Sequence, residues 1–125
     1  MTIRFGPAGL GPVKEAIRNL ENYHKLGLTS CEIAFTYSVY IKPQETKEIA
    51  KKAKELNIDL TIHAPYFVNL NSSEKEKIEA TKKRILNCCE IGEQLGAKLV
   101  VFHPGYYGNN RETSYQTINR PSPQW

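Results

Sequence analysis

Two of the three histidines in this sequence stand at the ends of apolar runs that resemble β-strands. His63 ends the run 58–63, and His103 follows the run 98–102. If these runs form neighbouring parallel strands, their carboxyl ends meet at one edge of the sheet and the two imidazoles lie side by side. Neutral imidazole is a good zinc ligand. The positions therefore predict a shared metal site, and the alternative is two ordinary strand-end histidines bonded to the backbone.

The elements that must hold these histidines follow from the periodicity of apolar residues. Strand-like runs alternate with amphipathic helical segments, which gives the order β-α-β-α-β-α-β followed by the start of a fourth helix near residue 113. The predicted strands are 2–5, 30–35, 58–63 and 98–102, and the predicted helices are 12–26, 43–56 and 73–95. The last strand is almost entirely apolar, which predicts burial on both of its faces.

The ends of the predicted helices carry specific signals. Gly27, Asn57 and Gly96 suit the left-handed conformation that ends a helix, and Pro43 suits a first helical position. Ser73 and Glu76 have the spacing of a capping box for the third helix.

Right-handed crossovers make all four strands parallel and place four loops at one edge, which is the functional surface of such folds. The loops are 6–11, 36–42, 64–72 and 104–111. Four βα units fit either half of a (βα)8 TIM barrel or a small doubly wound sheet. The first loop has three glycines but no Gly-Lys-Ser/Thr, so a structural turn is favoured over a nucleotide-binding loop.

Composition excludes several classes of protein. The 125 residues include 17 Lys plus Arg against 13 Asp plus Glu, a net charge of +4, and no apolar run approaches the length of a membrane span. No secretory signal is visible, so a cytoplasmic protein that does not enter membranes is expected. The three cysteines form no disulfide framework and are expected to be buried and reduced.

The sequence around both histidines resembles the endonuclease IV family of apurinic/apyrimidinic endonucleases, particularly its archaeal members. The two motifs that carry the likeness are His-Ala-Pro-Tyr-Phe-Val-Asn-Leu at 63–70 and Val-Phe-His-Pro-Gly at 101–105. The opening Ile-Arg-Phe-Gly-Pro-Ala-Gly at 3–9 and the segments 40–43 and 95–101 extend the resemblance in order through about residue 118.

This resemblance implies a zinc-dependent DNA repair hydrolase that cuts the backbone on the 5′ side of an abasic site, on an eight-unit TIM barrel. The family uses three zinc ions, and His63 and His103 match the ligands of one of them. Tyr66 matches a tyrosine that enters the duplex at the lesion, and Asn69 lies on the same loop. Tyr37 and Tyr40 occupy a second loop that probes DNA.

For these tyrosines, simple packing at a loop rim is the alternative. Lys42 and Arg111 are the basic residues expected near the functional edge.

The chain carries only part of the family pattern. The remaining zinc ligands belong to strands five to eight of the barrel, so no complete catalytic set is expected here, and residues 1–118 are predicted to form the N-terminal half of a barrel without turnover of its own. Residues 119–125, with Pro121 and Pro123, are expected to be a non-native or disordered tail. An uncovered half barrel is expected to self-associate through its exposed strand edges.

Two other functions remain open from the residues. Sugar isomerases and epimerases of the xylose-isomerase-like barrels also place metal-binding histidines at strand ends. A non-catalytic metal-binding or assembly module would also use the same positions.

Overall fold

The computed structural model describes residues 2–119. Its strands are β1 (Ser30–Ala34), β2 (Asp59–His63) and β3 (Val100–Val101), joined in parallel in the order β1-β2-β3. Its helices are α1 (Ala16–Lys25, after a 3-10 turn at Val13–Glu15), α2 (Pro43–Glu55), α3 (Lys75–Leu95) and α4 (Arg111–Asn119). The predicted α/β fold with parallel strands and intervening helices is confirmed.

The core lies between the sheet and the helices. Alternate residues of β1 and β2 are buried, as expected when one face of a sheet packs on helices. The buried strand residues Cys31, Ile33, Leu60 and Ile62 belong to the same cluster as Leu20, Ile49, Ala53, Cys88, Ile91 and Leu95. This packing fixes the register of β2 and therefore the position of His63 at its end.

The N-terminal segment differs from the predicted strand at 2–5. It runs beside β1, where the Phe5 carbonyl accepts hydrogen bonds from the N–H groups of Thr29 and Ser30, but the pairing with β1 is a single parallel bridge between Ala8 and Glu32. Pro7 has no N–H, so the ladder is interrupted there. Gly6 allows the close approach, since a Cβ at this position would overlap the Ser30 carbonyl.

The last predicted strand is also shorter and less buried than the sequence indicates. Of residues 98–102 only Val100 and Val101 pair as a strand, and Leu99 and Val101 are 51% and 41% exposed. The expected burial on both faces is wrong here, because β3 is an edge strand among residues 2–119 and only the helix-facing side of the sheet is covered. Val100 still packs against the core.

Helix ends agree with the sequence at their carboxyl termini. Gly27, Asn57 and Gly96 have φ of 76°, 54° and 68°, which confirms the predicted left-handed ends. The predicted Ser73–Glu76 capping box does not form, because α3 begins two residues later than expected and the Ser72 hydroxyl instead accepts from the Glu74 N–H at 3.1 Å.

Cysteine burial follows the helix face on which each residue lies. Cys31 and Cys88 are buried and Cys89 is exposed, and all three are free thiols. The prediction of free thiols is confirmed, and the prediction of burial is wrong for Cys89, because one helical residue turns the side chain by about 100° away from the core.

At the carboxyl end of the described residues, the structure agrees with the predicted helix but not with the predicted start of the tail. The fourth helix expected from residue 113 is present as α4, and Asn119, the first residue of the predicted tail, is its last residue. Residues 120–125 of that tail lie outside the described residues. Within 2–119, no helix has the length and apolarity that crossing a membrane requires.

Candidate functional site

The two strand-end histidines lie together at the carboxyl edge of the sheet. His63 is the last residue of β2 and pairs in register with Val101, and His103 follows two residues later along the chain. Their ring centroids are 5.1 Å apart with an interplanar angle of 69°. His63 is half-buried and His103 is exposed. The structure therefore places two imidazoles side by side, as the strand positions predict.

The backbone orients the ring of His63. Its Nδ1 lies 2.9 Å from the Ala64 carbonyl oxygen. A carbonyl can only accept, so Nδ1 carries the proton, and the lone pair of the neutral ring is on Nε2. This leaves Nε2 free to accept a proton or bind a metal ion.

Tyr66 completes a cluster with the two histidines. Its ring centroid is 5.7 Å from each imidazole, at 61° to His63 and 65° to His103. We call these three residues the aromatic triangle. The Tyr66 N–H donates to the Thr36 carbonyl at 3.2 Å, which ties the loop after β2 to the loop after β1. Because the ring is 52% exposed, the triangle is open to solvent.

Asn69 holds two loops together. Its Oδ1 accepts from the N–H of Asn71 at 3.0 Å and from that of Tyr106 at 3.4 Å, and its own N–H donates to Thr81 Oγ1 on α3 at 3.0 Å. The side-chain oxygen is thus used within the protein, which gives Asn69 a positioning role. The DNA contact inferred for this residue stays a prediction.

The two tyrosines of the loop after β1 have different surroundings. Tyr37 is 77% exposed, and its ring centroid is 6.4 Å from that of Phe67, next to Tyr66. Tyr40 packs edge-on against Phe35 at 5.3 Å and its hydroxyl donates to the Gly11 carbonyl at 3.3 Å. Burial raises the pKa of Tyr40 above its ordinary value. These contacts favour packing for Tyr40 and leave Tyr37 available on the surface.

Several residues that shape this edge were not found from the sequence. Arg84 of α3 donates from Nη1 to the Phe67 carbonyl at 3.0 Å. Asn71 donates from Nδ2 to the Tyr106 carbonyl at 2.7 Å and to Ser114 Oγ at 2.8 Å. The sequence feature that could have indicated this part of the edge is the pair of adjacent tyrosines, 106 and 107, after the His-Pro-Gly motif.

The chemistry available at this edge is metal binding and aromatic stacking. Nε2 of His63 and the ring of His103 are nitrogen donors suited to zinc. Within residues 2–119 no group of three His, Cys, Asp or Glu side chains is arranged to hold a metal ion. Exposed rings at the same edge can stack on bases or sugars, and they include Tyr37, Tyr66, Phe67, Tyr106 and Tyr107.

Comparison with known proteins shows the family of the chain. The model for xylose isomerase-like TIM barrels matches residues 20–120. The chain belongs to this family. Matches to probable endonuclease 4 sequences agree with the resemblance carried by the histidine motifs.

Individual relatives cover most of the chain. An uncharacterised protein of Methanocaldococcus jannaschii is 36% identical over 119 residues, which are 91% of this chain and 41% of that protein. A probable endonuclease 4 of Metamycoplasma arthritidis is 29% identical over 100 residues, 79% of this chain and 35% of that protein. The chain thus spans about two fifths of the length of these curated relatives.

A solved structure of a D-tagatose 3-epimerase-like protein shows the same fold. It superposes with a TM-score of 0.68 at 22% identity, over 93% of this chain and 47% of the other. This likeness agrees with a partial TIM barrel and extends to the fold alone.

Proposed function

We propose that this chain forms part of the active-site edge of a zinc-dependent DNA repair endonuclease that cuts beside abasic sites. The observation that carries the proposal is the aromatic triangle, in which two strand-end imidazoles and an exposed tyrosine lie within 6 Å of one another by ring centroid. Similarity to a probable endonuclease 4 supports the same reaction class.

The spacing of the histidines fits a shared zinc ion. A single zinc ion would need a nitrogen of each imidazole at about 2.0–2.1 Å, so the two rings have to lie close together. The observed separation is 5.1 Å, before any movement of either ring. The hydrogen bond from Nδ1 of His63 to the Ala64 carbonyl is the kind of outer contact that fixes the tautomer and orientation of a metal-binding histidine.

In this proposal each residue has a defined task. His63 and His103 would hold the ion, and the hydrogen bond to the Ala64 carbonyl would keep the His63 ring in its binding orientation. Bound zinc would polarise the phosphodiester and lower the pKa of water, which is the chemistry that phosphate hydrolysis needs. Zinc usually takes four ligands, so two more besides these histidines would be needed.

In the proposed complex Tyr66 would contact DNA next to His63 and His103. Its exposed ring can enter the space left by a missing base, where opening the duplex costs least. Tyr37 and Phe67 extend the exposed aromatic surface from the same two loops. Arg84 holds the Phe67 carbonyl and so limits the movement of the loop that carries Tyr66.

The experiment compares two duplexes that differ only in one tetrahydrofuran abasic site. Fluorescence anisotropy with the 125-residue chain should show tighter binding to the abasic duplex, by roughly fivefold or more for one stacked aromatic ring. Tyr66→Ala should abolish this preference. Tyr115→Ala, which removes another exposed tyrosine from α4, should keep it. Equal affinity of the unaltered chain for both duplexes would reject the proposal.

The sugar epimerase alternative would use the same two strand-end histidines, whose rings lie side by side. Epimerisation of D-tagatose by the zinc-loaded chain would favour the alternative instead.

A further inference from the structure

We infer that Tyr106, Tyr107 and Arg111 form a second DNA-binding subsite, which takes an unpaired nucleotide of the strand beside the aromatic triangle. We call these three residues the nucleotide platform. This inference rests on the proposed function, from which the polymer is taken to be DNA. It gives a DNA-contacting role to the loop after β3, for whose tyrosines the resemblance implies no role.

The platform combines exposed rings with a cation. Tyr106 and Tyr107 are 69% and 53% exposed. The Arg111 guanidinium carbon lies 4.6 Å from the centroid of the Tyr107 ring, within the range of a cation–π contact. Among residues 2–119 no carboxylate lies within ion-pair distance of Arg111. Its charge is therefore available to a phosphate while the tyrosine fixes its position.

The loop that carries the platform is held by several hydrogen bonds. Asn71 binds the Tyr106 carbonyl and the hydroxyl of Ser114, which is itself buried in α4. The Ser114 hydroxyl lies against the carbonyls of Tyr107 and Asn110. Binding a nucleotide here would therefore cost little ordering of the loop, which is the advantage of a preorganised site.

The loop that carries the platform is hydrogen-bonded to the loop that carries Tyr66. Pro104, next to His103, accepts a hydrogen bond from the Leu70 N–H at 2.7 Å, and Tyr106 N–H is 3.4 Å from Asn69 Oδ1. Because the two loops are held together, we expect one DNA strand to contact both of them.

The combination of groups selects the ligand. Stacking on aromatic rings needs a base that has left its duplex neighbours, and a free guanidinium pairs with the phosphate that joins it to the chain. A protein partner would use the rings equally well but would need an acidic side chain at the right place to pair with Arg111, whereas every nucleotide of a DNA strand carries a phosphate. We therefore assign the platform to single-stranded DNA.

The test uses a 5′-fluorescein oligothymidylate of about eight nucleotides, which has no lesion and no duplex. Arg111→Gln should weaken binding roughly three- to tenfold and reduce the slope of log affinity against log salt by about 0.7, because one phosphate contact with a single strand is lost. Arg18→Gln is the matched control, since Arg18 is an exposed arginine of α1 that already pairs with Glu15 at 3.4 Å.

The tyrosine arm separates stacking from simple apolar contact. Tyr106→Leu should lower the affinity for the oligonucleotide roughly five- to tenfold, and Tyr106→Phe should keep it, because the phenyl ring preserves the π-face. Tyr106 is exposed, so both variants should unfold in urea at nearly the same midpoint as the unaltered chain.

The outcomes keep this inference distinct from the proposed function. No binding of the oligothymidylate, or equal effects of Arg111→Gln and Arg18→Gln, would overturn the platform. A preference for the abasic duplex that Tyr66→Ala abolishes would still support the endonuclease. Conversely, binding that depends on Arg111 and Tyr106 without any preference for the abasic duplex supports the platform and rejects the endonuclease proposal.

Discussion

The rings of His63 and His103 lie edge to face, with an interplanar angle of 69° and centroids 5.1 Å apart. One residue ends β2, and the other lies just beyond β3, which pairs with β2 through only two residues. This short ladder continues past the sheet through the hydrogen bond from Ala64 N–H to the Val101 carbonyl at 2.8 Å. The loop after β2 and the loop after β3 therefore begin at fixed positions relative to each other.

Zinc binding should depend on both histidines. We expect His63→Ala and His103→Ala each to weaken zinc affinity about tenfold or more, since even the loss of an outer-shell partner costs about 10–100-fold at metal sites. Isothermal titration of the chain with zinc chloride measures this. His24→Ala is the control, because His24 lies in α1 and does not take part in the aromatic triangle. Identical affinities for all three variants would remove the zinc assignment.

Gly105 and Asn69 should be energetically coupled. A Cβ at Gly105 would overlap Asn69 Oδ1, and its φ of 154° is one that other residues rarely adopt. Gly105→Ala should lower the free energy of unfolding by about 1–3 kcal/mol, in the range for overpacking. In an Asn69→Ala background the cost of Gly105→Ala should be smaller, because the overlapping oxygen is gone. Urea denaturation of the four variants tests the coupling, and additive effects would contradict it.

Arg4 should stabilise the N-terminal segment more than its exposure indicates. Its guanidinium contacts Asp59 Oδ2 at 3.0 Å, the Asn57 carbonyl at 2.9 Å and the Thr29 carbonyl at 3.2 Å. Arg4→Met should lower the free energy of unfolding by about 1.5–3 kcal/mol, the range for hydrogen bonds to charged groups.

Two further variants identify the cause of that loss. Arg4→Lys keeps the charge but loses the planar fork, so an intermediate value is expected. Arg18→Met removes only an exposed pair and should change stability by less than about 0.5 kcal/mol. Thermal denaturation that ranks Arg4→Met equal to Arg18→Met would contradict this assignment.

Stability should fall at alkaline pH because of the buried thiols. Burial raises the pKa of Cys31 from 9.0 to about 11, and that of Cys88 likewise to about 11. As the pH rises, the unfolded chain releases these thiol protons before the folded chain does. The thiols' contribution to the free energy of unfolding is therefore fully present below about pH 9 and is lost as the pH rises toward 11. At about 1.4 kcal/mol per pKa unit, each thiol accounts for roughly 2–3 kcal/mol across that interval.

Cys31→Ala isolates the thiol contribution from other groups that titrate at high pH. Its free energy of unfolding should depend less steeply on pH between about 9 and 10.5 than that of the unaltered chain, because one titrating group is removed. Cys89→Ala is the matched control, since Cys89 is exposed. Urea denaturation at several pH values measures the slopes, and parallel slopes for all three proteins would refute the prediction.

Features of the fold that depend on single residues could be predicted from the sequence, and features that depend on distant neighbours could not. Pro43 starts α2 and Asn57 adopts the left-handed conformation after its end, because both effects depend on the backbone chemistry of single residues. The Ser73–Glu76 capping box failed although its spacing was correct, since the Ser72 side chain satisfies the Glu74 N–H and moves the helix start. Leu99 and Val101 show the same limit, because burial depends on neighbouring strands and not on apolarity alone.

For the site, the sequence by itself determined the residue types at the strand ends. Strand-like apolar runs put His63 at the end of one strand and His103 close after the next, and parallel strands bring such ends to one edge. Only the tertiary structure decided that Tyr66 lies against both rings and that Tyr40 packs on Phe35. It also joined Asn71, Tyr106 and Ser114 across two loops. These contacts depend on where separate loops meet in space, and local sequence patterns carry no information about that meeting.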